Sequence, residues 1–170
     1  FDYLSSYSRK NPEAILTALA EEFPNEEHVV LFLKTNNSVR FEEKESRFLN
    51  LVKTLGLSDR VVIIRESLTR NEFMTLLNAM DCYISLHRGE GLGLGIQEAL
   101  ALGKPVIATN YGGNSEFMNH PLAMPVSYSL VPASDDYHPY RNVKTWAEPD
   151  INAARSFMRK IFKEKMVKPG

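Results

Sequence analysis

Short apolar runs of strand length alternate with helix-length amphipathic segments along almost the whole chain, and few folds accommodate that pattern. Val29–Leu33 and Val61–Ile64 are unbroken aliphatic runs, as are Cys82–Leu86, Pro105–Ala108 and Leu122–Val126 in large part. Strands that are apolar on both sides belong to parallel sheets covered on both faces. The helices between them have readable ends. Asn11-Pro12 reads as an N-cap followed by proline at the first helical position, with Ala14, Ile15, Ala18 and Leu19 on one face and Pro24 as a stop. Phe41–Leu55 carries Phe48, Leu51, Val52 and Leu55, and Gly56 suits its end. Thr69-Arg70-Asn71-Glu72 has capping-box spacing ahead of Phe73, Leu76, Leu77 and Met80. Gly91–Leu102 reads as a glycine-rich turn and helix, and Asp150 caps a last helix carrying Ile151, Ala154, Phe157, Met158 and Ile161. Phe1–Ser5 reads as a short extended piece, Ser6–Lys10 as a polar connection and Val131–Thr145 as a surface loop. The expected fold is α/β: a doubly wound parallel sheet of five or six strands in one domain, residues 1–170.

Composition removes several classes of function. With 20 Lys and Arg against 21 Asp and Glu, no strong basic field exists to attract nucleic acid, so no nucleic-acid partner is expected. The single cysteine, Cys82, allows neither an internal disulfide nor a cysteine-rich zinc cage, which fits a reducing compartment. No apolar run approaches the ~18 residues that span a bilayer. Hydrophobic residues at 44% suffice for a real core.

Ligands of open α/β sheets bind beyond the carboxyl ends of the strands. Among the loops at that end, Ser85-Leu86-His87-Arg88-Gly89-Glu90-Gly91-Leu92-Gly93-Leu94-Gly95-Ile96-Gln97-Glu98 stands out. Three alternating glycines lie between two carboxylates where a strand turns into a helix. Glycines let the backbone approach a ligand, and free N–H groups at a helix start favour a phosphate. Carboxylates accept paired hydrogen bonds from vicinal hydroxyls. Phosphate on the amides and sugars gripped by Glu90 and Glu98 is one reading. A purely structural one remains beside it, in which the glycines serve a tight turn and Glu90 complements the helix dipole. A nicotinamide fingerprint and a P-loop both fit poorly. His87 lacks companions at metal-ligand spacing.

The segment resembles the glutamate–seven-residue–glutamate motif of group 1 retaining glycosyltransferases, enzymes of GT-B architecture with two Rossmann-like domains. Ser8-Arg9-Lys10-Asn11-Pro12, Ser85-Leu86-His87-Arg88, Glu98-Ala99-Leu100-Ala101-Leu102-Gly103-Lys104-Pro105-Val106-Ile107-Ala108-Thr109 and Trp146-Ala147-Glu148-Pro149-Asp150 extend the likeness from about residue 1 to residue 160. It covers only the carboxyl-terminal, donor-binding half of such an enzyme. The resemblance implies that Lys10 neutralises the donor diphosphate, that Glu90 contacts the transferred sugar near the reacting carbon, and that Glu98 binds the ribose hydroxyls. It further implies that the amides of Gly91, Leu92 and Gly93 touch the diphosphate or sugar, and that the loop Arg65–Leu68, with Ser67, borders the base. Many relatives carry an arginine six residues before the lysine; here that position is Leu4, and Arg9 and Arg88 are the possible substitutes. Lys34, at a strand end, is a further donor-binding candidate. The family's usual aromatic after Glu-Gly is Leu92, and Gly112 stands where serine is frequent. No Asp-x-Asp pair occurs, only Asp135-Asp136, so donor binding without metal or other cofactor is expected.

The expected partners are a nucleotide sugar, with GDP-mannose as the donor, and a glycan or glycolipid acceptor held largely by an amino-terminal domain outside these residues. The expected location is cytoplasmic, at the inner membrane face in the full-length enzyme. On this reading the chain is about half of an enzyme, binds donor and transfers little sugar alone. Two alternatives share its features: a nucleotide-sugar epimerase of similar architecture, and a non-catalytic nucleotide-sugar-binding or scaffold module.

Overall fold

The computed structural model describes residues 1–36, 38–133 and 142–167. Among the described residues, seven strands and six helices follow in the order α1 (Tyr7–Lys10), α2 (Pro12–Glu22), β1 (Leu31–Lys34), α3 (Glu42–Thr54), β2 (Val61–Ile64), α4 (Arg70–Ala79), β3 (Tyr83–Ser85), α5 (Leu94–Ala101), β4 (Val106–Thr109), β5 (Ala123–Val126), β6 (Tyr128–Pro132), β7 (Thr145–Pro149) and α6 (Ile151–Val167). Single 3-10 turns occupy Ser38–Phe41 and Gly113–Phe117.

The first five strands are parallel, as their apolar runs require. They form two groups: β1 pairs with β2, and β3-β4-β5 form a second sheet, with no ladder joining the groups among the described residues. This departs from a single continuous sheet. The opening piece Phe1–Ser5 adds one parallel bridge, Asp2 with Asn36, rather than a strand. Nor is β1–β2 covered on both sides: Leu33 is buried, whereas Phe32 and Val62 stand exposed on the other face. In β4, by contrast, all four residues are buried.

Helices close the core as their apolar faces predict. Leu16, Leu19, Phe23, Leu33, Phe48, Val52 and Leu57 form one cluster, and Ile15, Ala18, Leu86, Ile107, Val126, Ala154 and Ile161 belong to a second that joins α2, the sheet and α6. A third, around Leu77, Ile96, Val106 and Met118, seats α4 and α5. Burying one large aliphatic side chain stabilises by about 1.5–3 kcal/mol, so these clusters supply most of the driving force. Arg155 and Arg159 of α6 fasten it to Glu21 and Glu22 at the end of α2. Burial opposes ionisation of Glu22, yet the two guanidinium groups hold its carboxyl below the ordinary range.

Several local expectations changed. Ser6–Lys10 is not a plain connection: Ser6 caps the one-turn α1 by accepting from Arg9 N at 3.1 Å. Asn11 precedes α2 but does not cap it through its side chain. It adopts a left-handed conformation (φ 49°), and its amide donates to the Leu86 carbonyl at 3.0 Å, which links the two loops of the site. Residues 131–132 and 145 belong to an antiparallel hairpin, β6–β7, in register from Tyr128↔Pro149 to Pro132↔Thr145. Three of the first four residues of β6 are exposed, so it lacks the apolar run that marks the other strands. Asp135-Asp136 lies outside the described residues.

Candidate functional site

A cleft of about 1130 Å³ runs along the gap between β1 and β3, from the start of these strands and α6 to their carboxyl ends and the start of α5. Its wall includes Lys10, Lys34, Ser67, Glu90, Leu92, Gly93 and Glu98. Seven of the ten anticipated residues therefore share one crevice. The turn that separates the two acids explains why: Gly93 adopts φ +72°, α5 begins at the next residue, and Glu98 is the fifth residue of that helix. Gly93 offers no side chain to cap the helix, which leaves the start of α5 as a ready anion site.

Tyr83 lies beneath this turn. A Cβ added to Gly95 would meet its Oη at 2.5 Å, so glycine is required where the helix crosses the ring. Burial, then the charges of Glu90 and Glu98, push the Tyr83 phenol up to about 12. One buried group thus senses both carboxylates.

Glu90 is held tightly. Lys10 Nζ donates to its Oε2 at 2.5 Å, and Arg9 Nη1 stands 3.8 Å away. Burial opposes its ionisation, but the Lys10 ammonium, with the Arg9 guanidinium nearby, holds the carboxyl below the ordinary range. Arg9 also donates to the Gly89 carbonyl at 2.6 Å and to Ser5 Oγ at 2.9 Å, bracing the loop from below. On its far side the loop rests on Gly112 and Gly113. Gly113 N donates to the Glu90 carbonyl at 3.0 Å, and a Cβ on Gly113 would lie 1.6 Å from the Gly91 carbonyl oxygen. The adjacent glycines at the end of β4 were the one sequence signal for this support.

His87 is fully buried behind the loop. Its Nε2 faces the Tyr111 carbonyl and Asn114 Oδ1, each at 3.1 Å, and its Nδ1 faces Ser85 Oγ at 3.0 Å. Because the carbonyl can only accept, these partners assign the proton to Nε2. Burial lowers the His87 pKa, in keeping with a neutral ring that ties the loop after β3 to the loop after β4. Among the described residues no group of three or more His, Cys, Asp or Glu is placed to hold a metal ion.

The other anticipated residues divide. Lys34 borders the cleft, but its ammonium donates to the Thr35 carbonyl at 2.7 Å and to Asn36 Oδ1 at 2.6 Å; burial lowers its pKa. Arg88 points away from the cleft. It grips Glu148 with two hydrogen bonds of 2.6 and 3.0 Å, donates to the Ser8 carbonyl and lies over the Trp146 ring. There it borders, with Arg9, Gly89, Glu90 and Gly91, a separate pocket of about 280 Å³. Gly91 N lies 3.2 Å from its neighbour's Glu90 Oε1. Leu4 is exposed. Arg65 is engaged with Glu45 at 2.7 Å, while Ser67 and Leu68 of the same loop reach the cleft. Sequence reasoning passed over Arg70, whose guanidinium pairs with Glu98.

The fold is that of a mainly parallel α/β domain, with two acids on either side of a glycine turn at one end of its sheet. Comparison with known proteins makes it specific. The chain belongs to the family described as glycosyl transferases group 1, which matches residues 5–122. Over 74 residues it is 35% identical to the lipopolysaccharide core biosynthesis mannosyltransferase LpsB of Rhizobium meliloti (strain 1021), covering 44% of this chain and 20% of that protein. The fold matches the crystal structure of the carboxyl-terminal domain of a group 1 family glycosyl transferase, LpcC, from Francisella tularensis (TM-score 0.55, 23% identity, 62% of this chain and 53% of that one). It also matches Anabaena HepE in complex with UDP and glucose (TM-score 0.58, 25% identity, 66% and 29%). The chain thus spans a fifth of the curated relative and about a third to a half of these structures.

Proposed function

We propose that this chain is the donor-binding part of a retaining glycosyltransferase that moves a hexose from a nucleotide sugar to a polysaccharide or glycolipid acceptor. The observation that carries the reading is the shared cleft: Lys10, Glu90 and Glu98 line one crevice beside the uncapped start of α5. The Lys10 ammonium and the first-turn amides stabilise charge growing on the leaving diphosphate, which is electrostatic catalysis in a partly dry site. A lysine suits this task as a compact charge without a fixed fork. Glu90 orients the sugar and lies beside the carbon where positive charge develops. Glu98 accepts hydrogen bonds from the ribose diol.

Lys10 neutralises Glu90 in an ion pair. Donor binding therefore shares the ammonium between the carboxylate and the arriving phosphates. Positive side chains and helix amides do the neutralisation, so the reaction needs neither metal nor another cofactor. GDP-mannose is the donor we favour, supported by the likeness to a protein named a mannosyltransferase. The likeness to a structure that holds UDP and glucose supports the nucleotide-sugar class and makes UDP the comparison arm. Acceptor recognition falls to an amino-terminal domain, and the full-length enzyme works on the cytoplasmic side, at the inner membrane face. Among the described residues no helix is long and apolar enough to cross a membrane.

Calorimetric titration of GDP, UDP, ADP and their hexose conjugates, in the presence of a chelator, tests this reading. Binding of one nucleotide family is expected, with little transfer to any glycan by the chain alone. No heat from any of the three diphosphates would remove the donor-site assignment. Donor turnover with no acceptor present would favour an epimerase.

A further inference from the structure

We propose that Arg70 is an internal competitor for the ribose position: its guanidinium pairs with Glu98, and a nucleoside must displace it to bind. The proposal rests on the assignment of Glu98 to the ribose.

The geometry separates the two partners sharply. Glu98 is fixed as the fifth residue of α5, and its side chain is 13% exposed. Arg70 belongs to a different helix, and its side chain is 66% exposed. Its backbone is pinned at the first position of α4, inside a complete capping box in which Thr69 and Glu72 satisfy each other. The helix start is therefore fixed, while the long side chain beyond it is largely in solvent. Among the described residues Arg70 is the one cationic partner of Glu98, and it takes Oε1. Arg70 also borders the cleft beside Ser67.

A positioning role fits this arrangement poorly. The α5 backbone already fixes where Glu98 stands, and an exposed arginine on another element adds little constraint. A counter-ion role fits well. An acid that is mostly removed from water needs a partner when no ligand is present. A vicinal diol approaching the same carboxylate requires both of its oxygens, and Arg70 holds one of them. The exchange is cheap, because ion pairs with one well-exposed partner contribute only about two- to fivefold to an equilibrium. Hydrogen bonds from the diol to a charged carboxylate contribute about tenfold or more, so the nucleoside wins. When the nucleoside leaves, the guanidinium returns to Glu98 and favours release of the spent nucleotide.

Salt provides a distinctive signature. Binding of the diphosphate to Lys10 weakens as salt screens it, whereas an uncharged nucleoside gains as salt weakens its competitor. The experiment measures the affinity of GDP, UDP and ADP, and of guanosine, uridine and adenosine, for the native chain and for Arg70→Gln, Arg70→Lys, Glu98→Ala and the Arg70→Gln/Glu98→Ala double variant. At low salt Arg70→Gln should bind the preferred nucleotide about two- to fivefold tighter than the native chain, and Arg70→Lys should restore native affinity. Nucleoside affinity of the native chain should rise with salt, while that of Arg70→Gln stays flat. In the Glu98→Ala background the Arg70 substitution should have no effect. A Glu98→Ala loss combined with unchanged or weaker binding by Arg70→Gln would overturn the competitor role and leave the ribose assignment standing. If Glu98→Ala binds like the native chain, or no nucleotide binds, the ribose assignment fails and this proposal fails with it.

Discussion

The two acids of the cleft stand only a glycine turn apart, yet their surroundings differ. Glu90 is braced from several sides: Lys10 and Arg9 face its carboxylate, Gly113 holds its carbonyl, and His87 and Asn11 tie the neighbouring loops behind it. Among the described residues Glu98 has one cationic partner, the exposed Arg70, and exposed Leu94 lies between it and the Gly93 turn. The difference teaches that a rigid end and an adaptable end can share one site. Charge development on a diphosphate and sugar demands donors fixed before reaction. A nucleoside must enter and leave, and a lightly held acid permits that.

The contrast can be broken at its rigid end first. Gly113→Ala would drive a Cβ into the Gly91 carbonyl, whereas Gly91→Ala meets open space. We expect Gly113→Ala to destabilise by about 3 kcal/mol, at the upper end of overpacking costs, and Gly91→Ala to change stability by less than about 0.5 kcal/mol. Denaturant midpoints of equal size would show that the loop is not braced there.

At the adaptable end, Glu98→Ala should weaken nucleoside diphosphate binding by about 1–3 kcal/mol, the range for lost hydrogen bonds to a charged group, without lowering the melting temperature. Lys10→Met should weaken a diphosphate by about 1–3 kcal/mol and a nucleoside hardly at all. Equal losses for both ligands would contradict a phosphate contact.

The smallest effect concerns pH. His87 is neutral in the fold with its pKa lowered by burial, so the unfolded chain takes up the proton first as pH falls. Its contribution is complete above the ordinary histidine value of 6.5 and declines below it, lost as pH passes through the lowered folded value. His87→Gln should therefore flatten the fall in unfolding free energy below pH 6.5. An unchanged slope would remove His87 from the account.

Much of this was legible in the residues because the physics was local. Thr69 and Glu72 form the capping box their spacing implies, and β2 spans Val61–Ile64 as its β-branched run implies. Lys10, Glu90 and Glu98 could be read from the sequence as candidates facing one crevice; the left-handed Gly93 that sets the start of α5 between the two acids could not. What escaped depends on distant parts of the chain. Asn11 looked like a cap, but Leu86 claims its amide from 75 residues away. The β6–β7 hairpin carries no continuous apolar run, because its first strand faces solvent. Arg70 looked like an ordinary surface residue at a helix start, and only the packing of α4 against α5 brings it to Glu98. Arg88 carried a functional reading, whereas its guanidinium is committed to Glu148 and Trp146.

The central claim is that one nucleotide lies across both ends of this cleft. An amide-resolved NMR titration with GDP, run in parallel with UDP and ADP and with a chelator present, tests it most directly. The account predicts shifts concentrated at Gly91, Leu92, Gly93 and Leu94 and around Lys10, Ser67 and Glu98, with the β6–β7 hairpin unmoved. Shifts confined to the hairpin and the Arg88 pocket, or none with any of the three nucleotides, would contradict it.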